Sequence, residues 1–156
     1  MKFTDFRHWS PDEIEEIRDC REPQSPWDLK PRGLYFAPGS AWIDWCEREG
    51  FYFNNYLHQY QINTVEEKSI LMLNPQNVKQ FYETYELMDP EIQTTAFFPH
   101  MDWNKVKSRY KGLYVPASII RTTDITLDRY YYIWTAFDVE TLVIWDKTAL
   151  KIERVK

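Results

Sequence analysis

Residues 129–146, RYYYIWTAFDVETLVIWD, hold three tyrosines, two tryptophans and a phenylalanine around two carboxylates, Asp138 and Glu140. So much ring area in so short a span demands burial against other elements, which constrains the fold more than any other segment. Read as a strand, the block alternates faces, so Asp138 and Glu140 point the same way. Acidic groups among rings are costly to bury without partners and are often kept for chemistry. The run Phe137-Asp138-Val139-Glu140-Thr141-Leu142 also fits a turn or a polar, solvent-facing pair, so both readings of the carboxylates stay open.

At 156 residues the chain is the size of one domain, residues 1–156, and is long enough to bury a core. Its 17% aromatic content is high, and Tyr and Trp add a polar handle suited to flat ligands or to interfaces. A net charge of −5 argues against non-specific binding to a phosphate backbone, which needs a basic footprint. The charges are scattered, which favours a role in solubility. Cys20 and Cys46 form no disulfide framework, and His8, His58 and His100 have no metal-ligand spacing, so no metal is expected. The amino terminus lacks the apolar run of a signal peptide, and no stretch approaches the ~20 apolar residues of a membrane span. The expectation is a soluble, cytoplasmic protein without a membrane partner.

Along the chain, Lys2 to Arg7 reads as a strand. Ser10-Pro11-Asp12-Glu13 then reads as a helix start, with Ser10 as cap and Pro11 at the first position, for a helix running to about Asp19. Pro23, Pro26 and Pro31 mark an extended connector. Gly33 to Ala37 is an expected buried strand, and Ser40 is expected to cap a helix that carries Trp42, Ile43, Trp45 and Cys46 and stops at Gly50. Cys46 sits on an apolar face and reads as core. Tyr56 to Ile62 and Lys68 to Leu73 are expected strands. Asn74-Pro75 opens a helix bearing Val78, Phe81, Tyr82 and Tyr85, and Asp102 caps another from Trp103 to Tyr110. Leu113 to Val115, the aromatic block and an edge strand from Leu150 to Val155 complete the expectation. Strands and helices interleave without a regular repeat, which points to an α+β domain with a mixed or antiparallel split sheet flanked by short helices. Lys30-Pro31-Arg32-Gly33-Leu34-Tyr35 and Arg109-Tyr110-Lys111-Gly112-Leu113-Tyr114 echo one another, too briefly to define a repeat.

There is no Gly-rich phosphate loop, Gly-x-Ser-x-Gly elbow or His-Glu-x-x-His helix. Three ordered patterns remain: His8-Trp9-Ser10 at the end of the first strand, Gly33-Leu34-Tyr35-Phe36-Ala37 before a helix, and the late carboxylate pair. This order resembles the His-Tyr-Glu arrangement of ADP-ribosyltransferases, and in particular the small divergent transferase-like proteins of phages and bacteria. Lys30 to Tyr35, Trp103 with Tyr110 to Leu113, and Tyr131-Tyr132 through Asp138 to Asp146 resemble motifs of an uncharacterised phage and bacterial family of the same layout.

The resemblance implies an ADP-ribosyltransferase-like fold, NAD as the dinucleotide and a host macromolecule, expected to be a protein, as the modified target. His8 and Ser10 would orient NAD, Tyr35 would stack on it, Arg121 would reach a phosphate, and Asp138 or Glu140 would be the catalytic acid. Breaking the nicotinamide–ribose bond passes through an oxocarbenium-like state, which a carboxylate near the ribose stabilises. The chain departs from the family pattern in lacking a Ser-Thr-Ser strand motif and in carrying Asp-x-Glu in place of Glu-x-Glu or a lone Glu. Two other functions fit the same residues. One is a non-enzymatic inhibitor of a host or defence protein, anchored by surface Tyr and Trp. The other is a catalytically inactive transferase fold that binds a nucleotide.

Overall fold

Among the described residues, thirteen short strands and α-helices follow one another without a repeating strand–helix unit. They are β1 (Phe6–Ser10), β2 (Leu34–Pro38), α1 (Ala41–Arg48), β3 (His58–Val65), β4 (Ile70–Met72), α2 (Val78–Tyr85), α3 (Pro90–Thr95), α4 (Trp103–Arg109), β5 (Gly112–Val115), α5 (Ala117–Ile120), α6 (Tyr131–Thr135), β6 (Thr141–Ile144) and β7 (Leu150–Arg154). The computed structural model describes residues 3–51, 58–120 and 129–156. The strands form one mixed, curled sheet in the order β4-β5-β6-β2-β1-β3-β7, so the chain is a single α+β domain. Only β4 and β5 run parallel; the other neighbouring pairs are antiparallel. No helix among the described residues is long and apolar enough to cross a membrane.

The central strands are apolar because both their faces are covered. Along β5 and β6 every residue is buried, and alternation deals the side chains to two cores. Leu113, Val115 and Val143 join Phe81, Trp103 and Trp134 under α2, α4 and α6. Tyr114, Leu142 and Ile144 join Phe3, Phe6 and Phe36 in the other core. Each such fully buried side chain contributes on the order of 1.5–3 kcal/mol.

The echoed segments flank β6 on its two sides. A Cβ on Gly33 would lie 2.6 Å from the Ile144 carbonyl oxygen, and one on Gly112 would lie 2.6 Å from the Val143 carbonyl oxygen. The registers differ by one residue, Leu34 pairing with Ile144 but Leu113 with Val143. Tyr35 therefore packs on the first core and Tyr114 in the second, so two similar peptides present their tyrosines to opposite faces.

Three expectations are corrected. First, the opening strand, expected from Lys2 to Arg7, starts at Phe6 among the described residues and runs on to Ser10, and Lys2 itself lies outside them. Second, no helix follows it. Ser10 is committed to the ladder opposite His58, and its Oγ accepts from the Asp12 N–H at 3.2 Å, forming a turn. Tertiary bonds then hold the segment out of a helix: Ile14 N–H donates to Tyr60 Oη at 2.7 Å, and Cys20 N–H donates to the Trp145 carbonyl at 2.8 Å.

Third, the aromatic block is not one strand but helix α6, a turn and strand β6. Ile133, Trp134 and Phe137 carry a helical spacing into the first core. There the Trp134 indole donates to Tyr82 Oη at 2.5 Å, and Tyr82 stacks on Tyr130 at 3.8 Å. Helix α3 was not expected, although Asp89-Pro90 is a good start signal and the Asp89 carboxylate accepts from Glu91 and Ile92 N–H. Helix α5 was not expected either, whereas α1, α2, α4 and the carboxy-terminal edge strand β7 fall close to their expected places.

Candidate functional site

Strands β1 and β2 pair only through Phe6 with Pro38 and Arg7 with Ala37. Beyond that point β1 continues alongside β3, and β2 alongside β6. A cleft of about 360 Å³ opens where they part. His8 bridges the gap: its Nδ1–H donates to the Tyr35 carbonyl at 2.7 Å, meeting an acceptor that the β1 backbone does not reach. A carbonyl can only accept, so Nδ1 carries the proton and the neutral ring keeps Nε2 as an acceptor. Burial lowers the His8 pKa, against the opposing effect of the Tyr35 bond, and so favours that neutral form.

His8, Ser10 and Tyr35, three of the expected binding residues, all line this cleft. Its rings are Trp9, Tyr35, Phe36, Trp42 and Phe137. Tyr35 is well anchored: its hydroxyl donates to the Pro31 carbonyl, and burial pushes the phenol far above its ordinary range. Lys30 Nζ lies over the Tyr35 ring, 5.1 Å from its centroid. Trp42 is backed by a parallel stack, with Trp45 at 5.2 Å and then Phe51 a further 5.3 Å on. The buried Trp9 indole N–H finds no acceptor among the described residues.

A buried amide positions the Lys30 side of the cleft. Gln24 Nε2 donates to the Lys30 carbonyl at 3.0 Å and its Oε1 accepts from the Arg32 N–H at 3.0 Å. The Gln24 backbone is held in turn by reciprocal bonds to the Asn104 side chain on α4, both at 2.9 Å. The Pro-rich connector is thus folded back on itself and docked on a helix.

The two carboxylates do not share a face. Asp138 is the centre of a tight turn: its φ is 65° and the Val139 N–H donates to the Phe137 carbonyl at 2.7 Å. A three-residue turn at positive φ is a rare and strained form. The flanking Phe137 and Val139 line the cleft while Asp138 itself is not part of its lining. Burial raises the Asp138 pKa, Lys30 opposes that shift, and Glu49 adds to it. Glu140 instead lies beside the Tyr114 hydroxyl of the second core, and the phenol is pushed up to about 12, by burial first and by Glu140 second. The alternation argument fails because the chain turns at Asp138 before entering β6.

Arg121 lies outside the described residues. Arg7, Trp9, Lys30 and Trp42 line the cleft without having been expected there. The signal for Arg7 and Trp9 was their place beside His8, and for Lys30 the basic run ahead of Gly33. Trp42 could not be told from core on helical spacing alone. No group of three or more His, Cys, Asp or Glu side chains that could hold a metal occurs among the described residues. The cleft combines flat apolar walls, a neutral histidine acceptor and the cationic side chains of Arg7 and Lys30, a set suited to a planar ligand that carries hydroxyls and negative charge. Comparison with protein-family models, with curated proteins and with solved structures returns no match for this chain.

Proposed function

We propose that this chain is an NAD-dependent mono-ADP-ribosyltransferase that modifies a macromolecular target on an ADP-ribosyltransferase-like fold. The observation that carries this reading is the convergence of His8, Ser10 and Tyr35 on one ring-lined cleft beside the strained Asp138 turn. NAD would supply an activated ribosyl group with nicotinamide as the leaving group. His8 Nε2 accepts from a ribose hydroxyl, and Ser10 adds a second polar contact. Trp42, braced by Trp45, offers the cleft a fixed ring for stacking. Asp138 in its ionised form stabilises the positive charge that develops on the ribose as the bond to nicotinamide breaks. Glu140 has no part in this step, because its carboxylate is engaged by Tyr114.

The test is mass spectrometry of a lysate incubated with the protein and NAD, alongside NAD cleavage. Asp138→Ala should lower turnover by about 100-fold. Glu140→Ala should leave turnover within about threefold while lowering stability by roughly 1 kcal/mol through Tyr114. Trp42→Leu should weaken NAD binding by about tenfold. Absence of both adduct and NAD cleavage, with an Asp138→Ala, Glu140→Ala double variant behaving identically, would sink the transferase reading.

A second reading, a protein-binding inhibitor, is favoured by a row of rings away from the cleft. Trp27 meets His100, His100 stacks on Phe98, and Phe98 meets Tyr132. Phe97 beside them is fully exposed, and exposed apolar rings are common interface anchors. NAD that stabilises the chain without being cleaved would instead mark an inactive transferase fold.

A further inference from the structure

Arg7 and Lys30 enter the cleft from different elements, strand β1 and the loop folded around Gln24. Neither has a carboxylate within ion-pair distance among the described residues. The Arg7 guanidinium donates to backbone carbonyls, those of Thr4 at 2.9 Å and Phe6 at 3.3 Å. Lys30 Nζ touches the Tyr35 ring. Some cations elsewhere are paired, Arg32 with Asp28, Lys111 with Glu66, Arg129 with Glu86 and Arg154 with Glu13, while Lys105 and Lys107, like Arg7, donate to backbone carbonyls. In a chain of net charge −5, two cations on one aromatic wall are a local concentration of positive charge, offset in part by Asp138, which acts on Lys30 from beyond ion-pair distance.

Both cations border a space of about 360 Å³, at the lower end of the range for small-ligand sites. An anion spanning two separate cations must carry charge at both ends of a short bridge, as a diphosphate does. Uncharged ring ligands would leave both cations unused. We infer that Arg7 and Lys30 form an anion subsite for the diphosphate of a nucleoside diphosphate unit whose base lies against the rings of the cleft. This rests on the reading of the cleft as a nucleotide site, and it identifies the phosphate partners on residues other than Arg121.

The test compares equilibrium binding of ADP and adenosine to the full chain, with NAD cleavage measured on the same samples. ADP should bind at least about tenfold more tightly than adenosine, since charge-assisted bonds supply the difference. That advantage should shrink several-fold between about 50 and about 200 mM salt. Arg7→Met and Lys30→Met should each remove most of it by weakening ADP binding several-fold more than adenosine binding. The Lys30 ammonium makes no hydrogen bond among the described residues, so its variant remains decisive should Arg7→Met fold poorly. ADP binding no tighter than adenosine, or an advantage that survives both substitutions, overturns the subsite. NAD cleavage without an ADP advantage removes the subsite alone. An intact ADP advantage without NAD cleavage removes the transferase reading and leaves the subsite standing.

Discussion

Asp138 carries two costs at one position. Its φ of 65° is a conformation that side-chain-bearing residues adopt rarely, and its carboxylate is held in a place that disfavours charge. Asparagine tolerates positive φ better and has no charge to desolvate. Asp138→Asn should therefore raise stability by about 0.5–1 kcal/mol, a figure kept small because the side chain is only half-buried. The sign with pH follows from the raised pKa. The folded chain holds the Asp138 proton more tightly than the unfolded one, so stability is lost as pH rises from the ordinary carboxylate range through the raised value. The gain from Asn should grow over the same window and be smallest below it, as urea unfolding at several pH values would reveal. A gain that does not change with pH would mean that backbone strain alone is responsible. A residue that lowers stability while flanked by cleft-lining neighbours is a mark of function. The run from Phe137 to Leu142 fits a turn as well as an alternating strand, and nothing local chooses between them.

At the scale of elements, β6 is held between two glycine-led strands. Gly33→Ala and Gly112→Ala each place a methyl against β6 backbone, 2.6 Å from a carbonyl oxygen, where no side chain can swing aside. Each should cost about 2–3 kcal/mol, read as a lowered urea midpoint. Gly39 has open space around its missing Cβ, so Gly39→Ala should cost less and only through its φ of 50°. Equal losses at all three positions would refute the close-approach explanation. The helices with punctuation were legible: Gly50 follows α1 at φ 76°, Asn74 and Asn77 organise the start of α2, and Asp102 caps α4. The segment from Pro11 to Asp19 was not, because capping chemistry is only a local preference. There the strand pairing of Ser10 and the bonds from Ile14 and Cys20 outweigh it.

For the whole molecule, the two cores share β5 and β6 as a common wall, and neither can lose its packing without exposing the other. Tryptophan fluorescence, to which Trp103, Trp134 and Trp145 of the first core contribute alongside four other tryptophans, and far-ultraviolet circular dichroism should therefore give coincident urea transitions. Trp134→Ala in one core and Phe36→Ala in the other should each cost about 3–5 kcal/mol and keep those transitions coincident. Separate transitions would show that the two cores melt as independent units. The amino-acid sequence by itself determined that this is an α+β domain with aromatic cores, where α1, α2 and α4 begin and end, and that β7 closes an edge. These follow from hydropathy period, caps and glycine stops, which act over a few residues. Only the tertiary structure decided that β1 and β2 part to open a cleft. It also decided that Lys30 and Trp42 join His8 and Tyr35 there, and that Asp138 and Glu140 are sent to different places. Strand register and chain reversal depend on contacts between distant segments, and a slip of one residue moves a side chain to the opposite face of the sheet.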